Sequence, residues 1–451
     1  MKTSRALTCL LLTLFLGTTA MGQRTPTVYI SGTTGGKSKV ISNMGQTYNY
    51  SEPIITSLGA NKSGVFALAR TRNVSYDKLE QNTSTSDWGQ HWYTPRWNLR
   101  VASGGVVYNN NSVYKKYLDP NWSNEDFYSS LVMKVSGSDI IIAGIRTRKY
   151  KYDKNHNYHI GFESMQIGEV NKLSVFKGSW QHQPNAGKYS GKRVIDYNPS
   201  YLKQLRPMVW HITDCAYYDG KIYAVGCKEH DGSAWNYSHV KRESYYNHRA
   251  QIWENGKDYM QVSSGDYSSS WANAISIARD KNRNRHFYTC GYKWQPTQLL
   301  YDDFIKKGTN SHKVTQMGLV WRDKSEITKL YEKKVGRQDA YPFEDAQIDK
   351  QVVFNYGYGY YLIGGVLYEV RFNENGSFKS KQSVIGGSKI EVLDICFPGI
   401  YRDGGCYALV NENGEDKVYK VTYGGKRELI KNFGRTGLTN KLIAVCEDTR
   451  P

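Results

Sequence analysis

The stretch ITDCAYYDGKIYAVG, residues 212–226, decides the fold of this chain. Its residues alternate towards an Asp-Gly pair and away from it again, and alternation with a period of two around Asp-Gly is a strong signal for a β-hairpin. A polar and aromatic insertion at 228–249 follows, and then a second hairpin, AQIWENGKDYMQV, turns at an Asn-Gly pair. The segment therefore predicts four antiparallel strands, A to D, with a long connection between B and C.

The same unit recurs along the chain, and regular recurrence is the signature of repeat architectures. The B strands read VYISG, VFALA, IIIAG, IYAVG, FYTCG, YYLIG and CYALV, and a C strand with a turn follows each of them, as in QIWENGK from residue 251. A small sheet cannot bury both of its faces alone, whereas sheets packed around a ring keep only short, protected edges. Seven copies therefore predict an all-β fold: a seven-bladed β-propeller of four-stranded antiparallel blades.

The two ends of the chain predict how this ring closes and where the protein goes. The first copy lacks an A strand, whereas a surplus strand, LIAVCE at 442–447, follows the last copy. We expect this C-terminal strand to supply strand A of the first blade and close the ring; a frayed tail is the alternative. Residues 1–22 combine a basic start, an apolar segment and an Ala-Met-Gly end, which predicts a Sec signal peptide and an exported protein.

The remaining chain, 23–451, is predicted to be one propeller domain without a segment apolar enough to span a membrane. Export predicts an extracellular place, at the cell surface or in a fimbrium, or a periplasmic one. Six cysteines lie beyond the signal peptide, and an even number permits disulfides in an exported protein. Cys215–Cys227 and Cys396–Cys406 flank hairpins and are the pairs to examine; the alternative is that these cysteines are small buried residues.

The formal net charge of +19 indicates a partner of negative charge. Such a surplus attracts acidic glycans, anionic lipid surfaces or acidic proteins. Export and the lack of any recognisable RNA- or DNA-binding motif argue against nucleic acid. A role of the charge in solubility alone is the alternative.

Long connections gather on one predicted face of the ring. They are the B–C loops at about 70–100, 146–163, 228–249 and 292–316 and a D–A connection at 180–211. Long connections in a compact domain are usually functional or disordered, and the many aromatic residues here favour function. Flat rings and cationic side chains together suit sugars and planar anions. The candidate ligand-binding residues are Trp88, Trp92, Trp97, Arg148, Lys149, Tyr150, Lys151, Tyr152, His156, His159, Trp235, Tyr245 and Trp294.

Catalytic signals are weak, and binding without catalysis is the favoured interpretation. The alternative is a polysaccharide lyase on acidic glycans, because such sites use His and Tyr as base and acid and a cation against the uronate carboxylate. Its candidate residues are His156, His159, Tyr245, His248 and Arg148. A structural scaffold without a small ligand is a third interpretation. No spacing identifies a metal site, and neither a metal nor a cofactor is predicted.

The turn Trp253-Glu254-Asn255-Gly256 and the signal end before Gln23 resemble those of exported β-propeller repeat proteins of host-associated Gram-negative bacteria. Surface adhesins and accessory or tip subunits of fimbriae occur among such proteins. The resemblance covers the mature chain and implies the fold, since propellers carry many functions. It adds the expectation of a surface-associated adhesion protein or a fimbrial or envelope accessory subunit. Its partner would be an anionic glycan or a protein at the cell surface, including other fimbrial subunits.

Overall fold

The structure of the protein is a computed structural model. It describes residues 26–70, 73–75, 100–102, 104–118, 126–149, 160–161, 165–167, 210–229, 248–255, 257–262, 269–280, 282–296, 313–336, 348–354, 357–398 and 405–447. The predicted signal peptide, 1–22, lies outside these ranges. The residues in these ranges form no helix with the length and apolar character that a membrane crossing requires.

The described residues form β-strands and one short 3-10 turn, Tyr423–Gly425. The strands of the first half are β1 Thr27–Thr34, β2 Lys37–Ser42, β3 Thr47–Tyr50, β4 Ile54–Asn61, β5 Gly64–Arg70, β6 Asn73–Ser75, β7 Arg100–Ala102, β8 Gly104–Asn109, β9 Ser112–Leu118, β10 Asp126–Ser136, β11 Asp139–Lys149, β12 Ile160–Gly161, β13 Met165–Ile167, β14 Trp210–Tyr218 and β15 Lys221–Glu229. The strands of the second half are β16 His248–Glu254, β17 Lys257–Gln261, β18 Ser269–Arg279, β19 Arg285–Pro296, β20 Lys313–Arg322, β21 Ser325–Gly336, β22 Lys350–Phe354, β23 Tyr358–Ile363, β24 Val366–Phe372, β25 Phe378–Ile385, β26 Ile390–Cys396, β27 Cys406–Glu412, β28 Glu415–Thr422, β29 Lys426–Gly434 and β30 Thr439–Cys446.

Six sheets have the continuous four-strand order of a propeller blade. From the inner to the outer strand they are β30-β1-β2-β3, β4-β5-β8-β9, β14-β15-β16-β17, β18-β19-β20-β21, β22-β23-β24-β25 and β26-β27-β28-β29. Strands β6 and β7 form a separate two-stranded sheet between β5 and β8. The protein is therefore an all-β β-propeller.

The prediction of seven blades is wrong, because the described residues form six complete blades. The third repeat forms a long hairpin, β10 with β11, but its next two strands do not continue the sheet outward. Strand β12 pairs with the end of β11, at Arg148 and Lys149, whereas β13 pairs with the middle of β11, at Ala143 to Ile145. Two short strands thus share one edge of β11. None of the described sheets is closed on itself by hydrogen bonds.

The C-terminal strand forms the inner edge of the first sheet. Strand β30 pairs antiparallel with β1, from Thr27 opposite Cys446 to Thr33 opposite Thr439. It is longer than the predicted 442–447 and begins three residues earlier. Strand β30 also contacts β4 on one side and β26 on the other. The two ends of the chain are therefore held together by one shared sheet and by contacts between inner strands.

The core lies between neighbouring sheets, because both faces of each second strand are covered. In β5, the side chains from Val65 to Ala69 are all buried, which explains why VFALA reads as an uninterrupted apolar run. Trp253 is completely buried between the hairpin of β10 and β11 and the sheet of β14–β17, and Trp321 is completely buried between the sheets of β14–β17 and β18–β21. Burial of each large apolar side chain contributes roughly 1.5–3 kcal/mol.

Neither candidate disulfide is present, because Cys215, Cys396 and Cys406 are thiols outside any disulfide. The register explains it, because Cys215 lies opposite Ala224 and Cys396 lies opposite Tyr407 in their hairpins. The alternative interpretation, small residues packed in the ring, is confirmed for Cys215, Cys290 and Cys406, which are buried.

Candidate functional site

Most of the predicted ligand-binding residues lie outside the residues that the structure describes. These are Trp88, Trp92, Trp97, Tyr150, Lys151, Tyr152, His156, His159, Trp235 and Tyr245. Their role in binding, and that of His156, His159 and Tyr245 in a lyase site, stays a prediction.

The remaining predicted residues lie in strands rather than in loops. Arg148 and Lys149 end β11, Trp294 lies near the end of β19, and His248 begins β16. The strands therefore extend into the ranges 146–163, 228–249 and 292–316, which the sequence analysis assigned to loops. The reason is that backbone pairing between strands continues there; Trp294, for example, lies opposite Ser269 in β18 and opposite Gln316 in β20. All four residues lie at the end of the sheets where the second strand ends and the third begins. We call this end the loop face and the opposite end the turn face.

Two aspartates that the sequence analysis missed join neighbouring sheets on the inner strands. Asp214 follows a bulge in β14, and its Oδ1 accepts the N–H of Cys215 at 2.8 Å while its Oδ2 accepts the N–H of Ile275 in β18 at 3.0 Å. A carboxylate hydrogen-bonded in this way stabilises by about 1.5–3 kcal/mol for each bond. The carboxylate of Asp214 therefore fastens one blade to the next.

Asp394 in β26 repeats this geometry in the last blade. It also follows a bulge, and its carboxylate accepts the N–H of Ile395 at 2.8 Å and the N–H of Ile443 in β30 at 2.9 Å. The signal in the sequence was an aspartate at the same place in two repeats, in ITDC and in VLDIC. Because such a pattern also fits a solvent-exposed strand residue, only the structure shows its role.

Two lysines place positive charge beside these aspartates. Lys350 Nζ lies 2.5 Å from Asp394 Oδ1, and Lys134 Nζ lies 3.9 Å from Asp214 Oδ1. Desolvation opposes the charge of Lys350, but the carboxylates of Asp394 and Asp214 outweigh it and raise the pKa of the lysine. The oxygens of both aspartates are thus engaged by backbone N–H groups and ammonium groups. This arrangement clamps inner strands together.

A guanidinium and a tyrosine form an organised pair on the turn face. Arg371, near the end of β24, holds its Cζ 4.5 Å from the ring centre of Tyr423, whose exposed fraction is 52%. The Nε of Arg371 donates to Glu369 Oε1 at 2.7 Å, and Glu369 is completely buried. The hydrogen bond to Glu369 raises the pKa of Arg371, which keeps the guanidinium charged.

A second cationic and aromatic group lies on the turn face between the sheets of β14–β17 and β18–β21. The Cζ of Arg285 lies 5.6 Å from the ring centres of Tyr218 and Tyr223 and 5.0 Å from that of Phe287. Its Nη1 donates to the hydroxyl of Tyr223 at 3.0 Å. Here the guanidinium is surrounded by rings of two blades, so its main effect is to hold those blades together.

His286 lies at the turn face, near the start of β19. Its Nδ1 lies 2.8 Å from Asp323 Oδ2 and its Nε2 lies 3.3 Å from Asp280 Oδ2. Both carboxylates also accept backbone N–H groups, from Phe287 and Asn284. This set fixes the tip of a hairpin. In the described ranges no group of three or more His, Cys, Asp or Glu side chains is arranged to hold a metal ion.

Comparisons with known proteins give similarity of fold alone. No family model matches the chain, and no curated protein matches its sequence. A quinonprotein alcohol dehydrogenase-like protein from Bacteroides thetaiotaomicron is 8% identical over 91% of this chain and 76% of its own, with a TM-score of 0.34. Apo AztD from Citrobacter koseri is 10% identical over 93% and 98%, with a TM-score of 0.33, and the WD40 propeller domain of Doa1 is 9% identical over 84% and 82%, with 0.35. At these values the likenesses carry no argument about function.

Proposed function

We propose that the protein is an exported, non-enzymatic binding protein. It would hold an anionic glycan or an acidic protein partner at its loop face. At the cell surface it would act as an adhesin or as an accessory subunit of a fimbrium or another envelope assembly. The proposal rests on one observation: the strands next to four basic and aromatic segments of the sequence all end or begin at the loop face.

The strand order supplies this common direction. The second strands β5, β11, β15 and β19 end at the loop face, and the third strands β8, β16 and β20 begin there. The sequence between these ends contains Trp, Tyr, His, Lys and Arg in high density. Because the ends of the strands share one face, side chains from separate repeats can act on one ligand.

Charge supports an anionic partner. Arg148 and Lys149 are the last residues of β11, and Lys151 and Lys154 follow them with Asp153 as the only acid up to residue 159. The chain as a whole carries +19. A surplus of one sign speeds the association with a partner of the opposite sign and makes it sensitive to salt.

The test replaces Arg148, Lys149 and Lys151 with Ser and measures binding to acidic oligosaccharides and to the native cell envelope at several salt concentrations. We expect slower association and a weaker dependence on salt, because charges in solvent are screened over about 8 Å at physiological ionic strength. The matched control replaces three exposed residues of the outer strands, Lys379, Arg427 and Lys431, with Ser. It makes the same change in net charge, so equal binding losses in both variants would overturn the proposal.

Turnover would overturn the proposal in another way. A lyase forms an unsaturated uronate that absorbs ultraviolet light, so absorbance is followed during incubation with acidic polysaccharides. A steady rise that His156→Ala or Tyr245→Phe abolishes would replace the binding protein with a lyase.

A further inference from the structure

Arg371 and Tyr423 on the turn face are partly exposed, yet several contacts hold both side chains in place. The phenol ring of Tyr423 is more than half exposed, yet its position is fixed from two sides. The guanidinium of Arg371 lies over the ring, and Tyr358 approaches it edge-on at 5.1 Å between ring centres. Tyr358 and Arg371 are also directly opposite each other in β23 and β24. The ring thus belongs to a rigid group and keeps an accessible surface.

A buried carboxylate fixes the arginine. Glu369 Oε1 accepts hydrogen bonds from Arg371 Nε at 2.7 Å and from Gln382 Nε2 at 3.4 Å. Glu369 Oε2 accepts from the N–H of Gly424 at 2.8 Å and from the hydroxyl of Tyr360 at 3.3 Å. With four donors around it, this carboxylate holds the Nε side of Arg371. The exposed fraction of the Arg371 side chain is 32%, so part of the guanidinium remains accessible to a ligand.

The same carboxylate fixes the turn that carries the tyrosine. Gly424 has a φ of 77°, which an L side chain rarely adopts, and this conformation presents its N–H to Glu369 in the neighbouring blade. Tyr423 immediately precedes it in the 3-10 turn. Glu369 therefore sets the position of the guanidinium and of the ring together, which is how a preorganised binding group is built.

We propose that Tyr423 and Arg371 form a binding subsite on the turn face for two adjoining hexuronate residues of an acidic glycan. The guanidinium covers one face of the Tyr423 ring, so the apolar face of one pyranose ring stacks on the other, exposed face. The carboxylate of the adjoining sugar pairs with the accessible N–H groups of Arg371, since a guanidinium presents a planar set of donors that matches a carboxylate. The subsite lies at the opposite end of the sheets from the loop face, so it is separate from the binding surface proposed above.

The probe is a hexasaccharide of α-1,4-linked galacturonate, compared with the same hexasaccharide after reduction of its carboxyl groups. Binding is measured by isothermal titration calorimetry with the full mature protein and with the loop-face variant in which Arg148, Lys149 and Lys151 are Ser. Titration of this variant reduces the contribution of the loop face, because three of its cations are removed, and the substitutions at Tyr423 and Arg371 then report on the turn face. We expect the acidic probe to bind at least about ten-fold more tightly than the reduced one, as one charged hydrogen bond provides.

Three variants locate the binding on the pair. Tyr423→Ala is expected to weaken both probes about ten-fold or more, and Arg371→Lys to abolish the preference for the acidic probe, because Lys keeps the charge but loses the planar donors. Tyr114→Ala is the matched control: Tyr114 is 42% exposed in β9, and its removal is expected to leave binding unchanged.

Stability separates a lost site from a lost fold. Tyr423→Ala removes a largely exposed ring, so its melting temperature is expected to stay near that of the wild type. Equal binding of the two probes, unchanged binding by Tyr423→Ala, or the lack of any binding by a folded loop-face variant would each overturn this inference. Loss of envelope binding in the loop-face variant with intact hexasaccharide binding would leave both proposals standing.

Discussion

Glu447 makes the stability of the C-terminal strand depend on pH. This residue directly follows β30, and the exposed fraction of its side chain is only 9%. Its Oε1 lies 3.5 Å from Lys420 Nζ, while its Oε2 is buried without a hydrogen-bond partner. Burial raises the pKa of Glu447 from an ordinary 4.5 to about 7. The carboxyl group therefore prefers to be protonated in the folded protein.

The direction and size of the effect follow from this pKa. A carboxyl group with a raised pKa stabilises the folded state fully below the pKa of the unfolded chain, about 4.5, and the stabilisation is lost as the pH rises to about 7. At about 1.4 kcal/mol for each pH unit, the difference amounts to at most about 3.5 kcal/mol. Lys420 reduces the loss at high pH, because its ammonium favours the ionised carboxylate.

The perturbation is Glu447→Gln, which keeps the size of the side chain and removes its titration. Free energies of unfolding are measured in urea from pH 4 to pH 8 for both proteins. We expect the variant to gain stability relative to the wild type as the pH rises, with most of the change between pH 4.5 and pH 7. Other groups titrate equally in both proteins, so the difference between the two curves isolates Glu447. Parallel curves over the whole range would refute the reasoning.

Three further predictions concern the inner strands and the thiols. Asp394→Ala is expected to lower the free energy of unfolding by about 3 kcal/mol, because it removes two charged hydrogen bonds and leaves Lys350 without its nearest carboxylate. Urea unfolding measures this, with Glu428→Ala, an exposed carboxylate in the outer strand β29, as the comparison. Ending the chain after residue 438 removes β30 and is expected to lower the melting temperature by several degrees or to prevent folding; an unchanged melting temperature would show that β1 does not need this partner. The thiols of Cys215, Cys290 and Cys406 are expected to resist a thiol reagent until the protein unfolds, because burial raises their pKa far above the ordinary value. A reductant is expected to leave the melting temperature unchanged. Rapid reaction of these thiols in the native state would contradict this.

One candidate site could be predicted from the sequence, and the other could not. Segments rich in Arg, Lys, Tyr and Trp are evident in the sequence, and they predicted a binding site at the loop face. Most of those residues lie outside the described ranges. The pair of Arg371 and Tyr423 could not be recognised from the sequence, because the two residues belong to different blades and nothing in RFNENG or TYGG indicates a site. Glu369 is an ordinary strand residue by its sequence, and only the folded sheet and the neighbouring blade bring its four hydrogen-bond donors together.

The sequence by itself determined the local structure of this protein. Alternating residues around Asp-Gly and Asn-Gly turns are interactions between near neighbours, so β14 with β15 and β16 with β17 follow from the order of the residues alone. The surplus strand at the C-terminus was equally visible as an unpaired element. The tertiary structure alone decided the number of complete blades, the shared edge of β11, and the clamps of Asp214 and Asp394. The aspartate clamps depend on contacts between residues about fifty or more positions apart in the sequence. The shared edge depends on how two short strands pair along β11. The local pattern of side chains does not predict such long-range contacts.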